Sequence, residues 1–116
     1  MVLHSCGKVD GFLPDLVDAG LTCIQSLEAT AGVDLSGLKE SLGDCLCFMG
    51  GLDSSGTLTF GTTQEVKDDV IKCLKAAGHG GGYFVGPSHD IINMPWKNVL
   101  AMRKAIEKYR RYPLQF

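Results

Sequence analysis

Residues 1–20 read MVLHSCGKVDGFLPDLVDAG. A short apolar run, residues 1–4, gives way to a polar loop that carries Gly7. A helical pattern then occupies residues 12–19. Pro14 falls where a first helical turn tolerates proline, and Gly20 stands where a helix ends. The order is strand, loop, helix, and it recurs three more times. Residues 21–27 are a second strand candidate, followed by a helix over 34–42 with Leu35, Leu38 and Leu42 at helical spacing and Gly43 as its stop. Residues 45–49 form the third strand and run into GGLD at 50–53. Residues 62–78 are the clearest helix, with Val66, Val70, Ile71 and Leu74 recurring every three or four positions and Thr62 or Thr63 able to cap it. The fourth strand is 82–86. The last helix covers 95–112, with Val99, Met102, Ala105, Ile106 and Tyr109 on one face.

Strands alternating with helices of this length pair in parallel, which makes the fold class α/β. The 116 residues suit a single domain, residues 1–116. Four such units are half of an eight-unit (β/α)8, or TIM, barrel. The formal net charge of -2 argues against a nucleic-acid surface. Lys104, Lys108, Arg110 and Arg111 fall late in a helix, where basic side chains meet its negative end. No apolar run reaches the roughly 18–20 residues of a membrane span, and no secretory leader is visible. The expected partners therefore include neither nucleic acid nor membrane. Five cysteines without paired spacing read as reduced thiols in a cytoplasmic protein, with Cys23 and Cys73 packed as small hydrophobes.

The chemistry-bearing residues come just after the strands: His4 and Cys6, then Glu28, then Asp53, then His89 and Asp90. These are C-terminal strand ends, where parallel α/β folds place their sites. Each has a plain alternative. His4 suits a hydrogen-bonded histidine, Cys6 a loop thiol, Glu28 a solvated carboxylate and Asp53 a turn or helix cap. Cys45 and Cys47, two apart, share a face if their segment is a strand, for packing or for a metal. His79 sits in a turn at the opposite end. Gly80, Gly81 and Gly82 precede a strand, the wrong end for a phosphate loop.

The motifs HSCGKV, LPDLVDAG, GDCLCFMGGLD, GTTQEV and GGGYFVGPSHDI, in this order, resemble the C-terminal half of the uroporphyrinogen decarboxylase superfamily. That superfamily also contains the zinc-dependent methylcobamide:coenzyme M methyltransferases. The resemblance implies a (β/α)8 barrel in which residue 1 lies near the fifth strand. The arginine-rich segment and pyrrole-holding aspartate of the decarboxylases' N-terminal half have no counterpart here. The implied activity is tetrapyrrole carboxylate removal, or methyl transfer between a corrinoid protein and a thiol. In the methyltransferase branch a His-x-Cys pair binds zinc, and His4 and Cys6 match it. The third ligand there is cysteine, whereas His89 stands at that position here, as in decarboxylases. The resemblance thus implies metal ligands His4, Cys6 and His89, and catalytic positions His89, Asp53 and Glu28. Zinc is the implied cofactor of a methyltransferase, and a decarboxylase needs none.

A non-catalytic half-barrel module is the competing expectation. A half-barrel has two free edges and an inner face without an opposite wall. With Val2, Leu3, Ile24, Leu46, Phe48, Phe84 and Val85 assigned to that face, the expected state is a homodimer, or a pair with a separate N-terminal half.

Overall fold

The computed structural model of the chain describes residues 1–116. Strands β1 (Val2–Ser5), β2 (Cys23–Ser26), β3 (Cys47–Leu52) and β4 (Tyr83–Pro87) form one sheet in the order β1-β2-β3-β4. Every pair is parallel. The helices between and after them are α1 (Leu13–Asp18), α2 (Leu35–Leu42), α3 (Thr57–Phe60), α4 (Thr63–Ala77) and α5 (Trp96–Tyr109). Sequence neighbours are sheet neighbours throughout, as in a barrel wall, and the strand order never reverses as it does in a doubly wound sheet.

The register shows which face the helices cover. Leu3, Ile24, Phe48 and Tyr83 are aligned across the four strands. Ile24 and Phe48 are fully buried in a cluster with Val9, Leu13, Leu21 and Leu38, and Leu3 and Tyr83 pack against it. Two positions further along Tyr83's strand, Val85 packs on a second cluster built from Leu52, Leu58, Val66, Val70, Leu74 and Met102. The next row over, His4, Gln25, Met49 and Phe84, points the other way and joins neither cluster. All the helices therefore pack on one face. This is four consecutive units of a barrel, half of eight, with the inner face left open.

That geometry corrects the apolar wall expected on the inner face. Ile24, Leu46 and Phe48 are buried under the chain's own helices, and Leu3 and Val85 pack on the same cores. Strand alternation sends them outward, away from the barrel axis. Of the seven, Val2 and Phe84 are the exposed ones, at 62% and 58%. The expected homodimer is left resting on the two open edges and this pair.

Other departures are local. β3 continues through Gly50 and Gly51 to Leu52, because β4 pairs with it up to Pro87. The glycines look like a loop in sequence, yet tertiary pairing keeps them in the ladder. Cys45 lies in the turn before β3, with its thiol on the Leu42 carbonyl at 3.4 Å, and so shares no strand face with Cys47. The segment 54–61 contains α3, held from below by buried Asn98, whose side-chain amide donates to the carbonyls of Leu58 (3.1 Å) and Gly61 (2.8 Å). Thr62 caps α4 reciprocally with Glu65, as the sequence suggests. The last helix begins one residue after Pro95 and ends at Tyr109.

Gly50 sets how closely the middle strands approach at the site end. Its φ is +108°, and a Cβ there would meet the Ser26 carbonyl oxygen at 2.4 Å. Backbone on both sides gives no room to yield. Gly50→Ala is therefore expected to destabilise the fold by about 2 kcal/mol or more, read as a lower urea midpoint. A midpoint equal to the parent's would show that the strands can separate there at no cost.

Candidate functional site

The four strand-end loops meet at the C-terminal mouth of the sheet. His4 lies within β1 and faces the open side, and Cys6 follows in the loop. Glu28 comes just after β2, where Ser26 (φ +104°) and Leu27 (φ +56°) hold left-handed backbone that non-glycine residues rarely adopt. His89 follows β4, and its backbone N–H donates to the Ser54 hydroxyl at 3.1 Å.

These loops bring three donors together. Cys6 Sγ lies 3.4 Å from His4 Nε2 and 3.8 Å from His89 Nδ1. One ligand atom from each of His4, Cys6 and His89 lies within 4.8 Å of the others. Glu28 braces the group. Its Oε1 accepts from His89 Nε2 at 3.0 Å, and its Oε2 accepts from the Gly7 N–H at 2.9 Å. One carboxylate thus ties the loop after β1 to the loop after β4. A carboxylate only accepts, so the neutral His89 ring carries its proton on Nε2 and keeps the Nδ1 lone pair on the Cys6 side. The His89 hydrogen bond, with the Gly7 N–H second, lowers the Glu28 pKa below the usual carboxylate range. On the far ring, Nδ1 of His4 hydrogen-bonds the side-chain oxygen of Gln25.

Asp53 sits apart from this group. Its two carboxylate oxygens accept from the backbone N–H groups of Gly56 (2.9 Å) and Thr57 (3.1 Å), the work of a turn and cap. Its own N–H donates to Asp69, whose pKa is raised by burial. Asp90 lines the cavity beside His89, an opening of about 410 Å³ walled by Gln25, Met49, Phe84, Pro87 and Ile91. No lysine or arginine lines it. His79 is exposed in its turn.

Sequence reasoning missed Gln25 and Ser54. Gln25 left a usable trace. It is a polar residue inside an apolar strand, and strand parity places it on the open face, paired in register with His4. Ser54 had no such mark.

The sequence model described as "Uroporphyrinogen decarboxylase (URO-D)" matches residues 1–109. The chain belongs to the uroporphyrinogen decarboxylase family. Two curated relatives carry the name methylcobamide:CoM methyltransferase MtaA. That of Methanosarcina barkeri (strain Fusaro / DSM 804) is 34% identical over 109 residues, and a second from Methanosarcina barkeri is 33% identical. Each alignment takes in 93% of this chain and 30% of the relative. A solved methyltransferase from Methanosarcina mazei superimposes with a TM-score of 0.77 at 28% identity, over 95% of this chain and 31% of that one. The chain therefore spans about a third of the length of these family members. No helix is long and apolar enough to cross a membrane.

Two measurements check this geometry. Cys6 and Cys45 are exposed, while Cys23 and Cys73 are buried and burial pushes the Cys73 thiol up to about 12. Under native conditions iodoacetamide should label Cys6 and Cys45 well before Cys23 and Cys73, and rapid modification of Cys73 would contradict the packing. The second is acid stability. Because the Glu28 pKa is lowered on folding, its contribution is present above the unfolded carboxylate value of roughly 4.3 and is lost as pH falls through the folded value. Glu28→Gln should be less stable than the parent near neutrality, with the gap closing in that acidic range. A gap that persists unchanged at lower pH would assign the loss to packing instead.

Proposed function

We propose that this chain supplies the metal-binding part of a zinc-dependent methyltransferase that passes a methyl group from a methylated corrinoid to a thiol. The observation that carries the reading is the convergence of His4 Nε2, Cys6 Sγ and His89 Nδ1, one sulfur and two nitrogens, from the two edge strands of the sheet. The donor set fits the ion. Zinc takes cysteine and histidine ligands, and three protein ligands leave a fourth position free for a substrate. His4, Cys6 and His89 would hold the metal, which when bound supplies Lewis acidity that keeps a thiol as the thiolate near neutral pH.

The chain's own groups prepare the site for that chemistry. Cys6 gives up a proton to become a ligand. Glu28 takes the Nε2–H hydrogen bond of His89 and so turns Nδ1 toward the same point, the outer-partner arrangement usual for metal-bound histidine. Met49, Phe84 and Ile91 give the cavity an apolar side. The names of the two Methanosarcina barkeri relatives supply the corrinoid donor and the thiol acceptor class. The decarboxylase reading gives the Cys6 thiol no part, whereas the zinc reading uses all three donors of the cluster. In this reading Glu28 orients His89, and Asp53 shapes the turn before α3 without touching substrate.

The test is zinc binding by the chain, measured by metal analysis and chelator competition. One zinc per chain is expected, with affinity rising with pH because the thiol must lose its proton. Cys6→Ser should lower affinity by more than the roughly 10–100-fold typical of outer-partner changes. A chain that takes up no zinc, or takes it up equally well as Cys6→Ser, would defeat the proposal and favour the non-catalytic half-barrel.

A further inference from the structure

We infer that Gln25 is a positioning residue that fixes the proton of His4 on Nδ1 and thereby presents Nε2 to Cys6; its consequence for a metal rests on the zinc reading above. Gln25 belongs to β2 and pairs in register with His4 of β1. Both side chains lie on the open face of the sheet, side by side, and the Gln25 side-chain oxygen meets His4 Nδ1. An amide oxygen can only accept, so His4 Nδ1 must donate. In the neutral ring the other nitrogen, Nε2, then has a lone pair and no hydrogen. That nitrogen is the one 3.4 Å from Cys6 Sγ.

The arrangement mirrors the other side of the site. His89 is held through Nε2 by Glu28 and offers Nδ1, whereas His4 is held through Nδ1 by Gln25 and offers Nε2. The two rings need opposite tautomers, and each has an acceptor at the nitrogen that must keep its proton. An uncharged amide on His4 and a carboxylate on His89 also divide the charge. With one thiolate already in the set, a second carboxylate on the ring pair would add negative charge where a thiolate substrate has to approach. Gln25 sets the tautomer without that addition. It is half-buried, flanked on the same row by Met49, and lines the cavity beside His89.

The experiment uses the full chain, metal-free and at mildly alkaline pH, with ¹⁵N NMR of the histidine rings reporting the tautomer of His4. The parent should show His4 protonated on Nδ1. Gln25→Leu keeps the shape and removes the acceptor, so His4 should move toward the Nε2-protonated form. Gln25→Glu restores an acceptor and should restore the Nδ1-protonated form. Gln25→Asn, which withdraws the oxygen by one methylene, serves as the loss variant if Gln25→Leu fails to melt cooperatively. The same proteins are titrated with zinc against a chelator. Gln25→Leu should bind about tenfold more weakly, with Gln25→Glu recovering most of the loss. An unchanged His4 tautomer in both loss variants overturns the inference, whatever the zinc affinity. A shifted tautomer in a chain that takes up no zinc at all supports the orienting role of Gln25 and counts against the zinc reading alone.

Discussion

The site exists only because the sheet curls. His4 and Cys6 follow the first strand and His89 follows the fourth, so three inter-strand steps separate them. In a flat sheet that is about 14 Å, at roughly 4.8 Å per step. Yet Cys6 Sγ and His89 Nδ1 are 3.8 Å apart. Helices on the outer face alone let the strands bend toward the open one, with twist supplying the curvature. Gly50 marks a close approach of β3 to β2, since the Ser26 carbonyl occupies the place a side chain would need. The left-handed backbone at Ser26 and Leu27 lies at the same level, immediately before Glu28. Close backbone approach and the bracing carboxylate are thus parts of one local arrangement.

Much of the fold was legible because its signals are local. Alternating strand and helix patterns, the cap at Thr62 and the stops at Gly20 and Gly43 do not depend on tertiary contact. The errors fall where partners decide. Gly50 and Gly51 have loop composition, and only the presence of β4 makes them strand. The inward or outward direction of Ile24 and Phe48 cannot be read from apolarity, because both faces of a buried parallel strand are apolar in a complete barrel. Strand parity relative to His4 would have settled it. His4 faces the open side, so residues one step off its register face the helices.

The site residues divide the same way. His4, Cys6, Glu28 and His89 stood out because ionisable or metal-capable side chains are uncommon at apolar strand ends. Asp53 stood out equally, but both its oxygens are engaged with the turn it begins. Residue type at a strand end is shared by both roles, and only the fate of the lone pairs separates them. Gln25 was passed over for the opposite reason. It carries no charge and binds no metal strongly, so its part is visible only through what it does to a neighbour.

A pattern follows from where these groups reside. The donors proposed for zinc lie on or just after the edge strands β1 and β4, while the acceptors that orient them lie on β2 (Gln25) or two residues past its end (Glu28), β2 being an interior strand paired on both sides. Edge strands have one partner and are the freer elements. Gln25, on a doubly paired strand, is fixed by the ladder, and Glu28, two residues past that strand's end, meets the loops of both edges at once through Gly7 and His89. The curvature brings the edges near each other, and β2 sets which nitrogen each ring turns inward. Loss of curvature would separate the donors. Loss of the Gln25 acceptor would leave them close together but with His4 wrongly turned. The two kinds of damage differ in kind: the first lowers fold stability together with metal affinity, and the second lowers affinity in a chain that still melts as one unit.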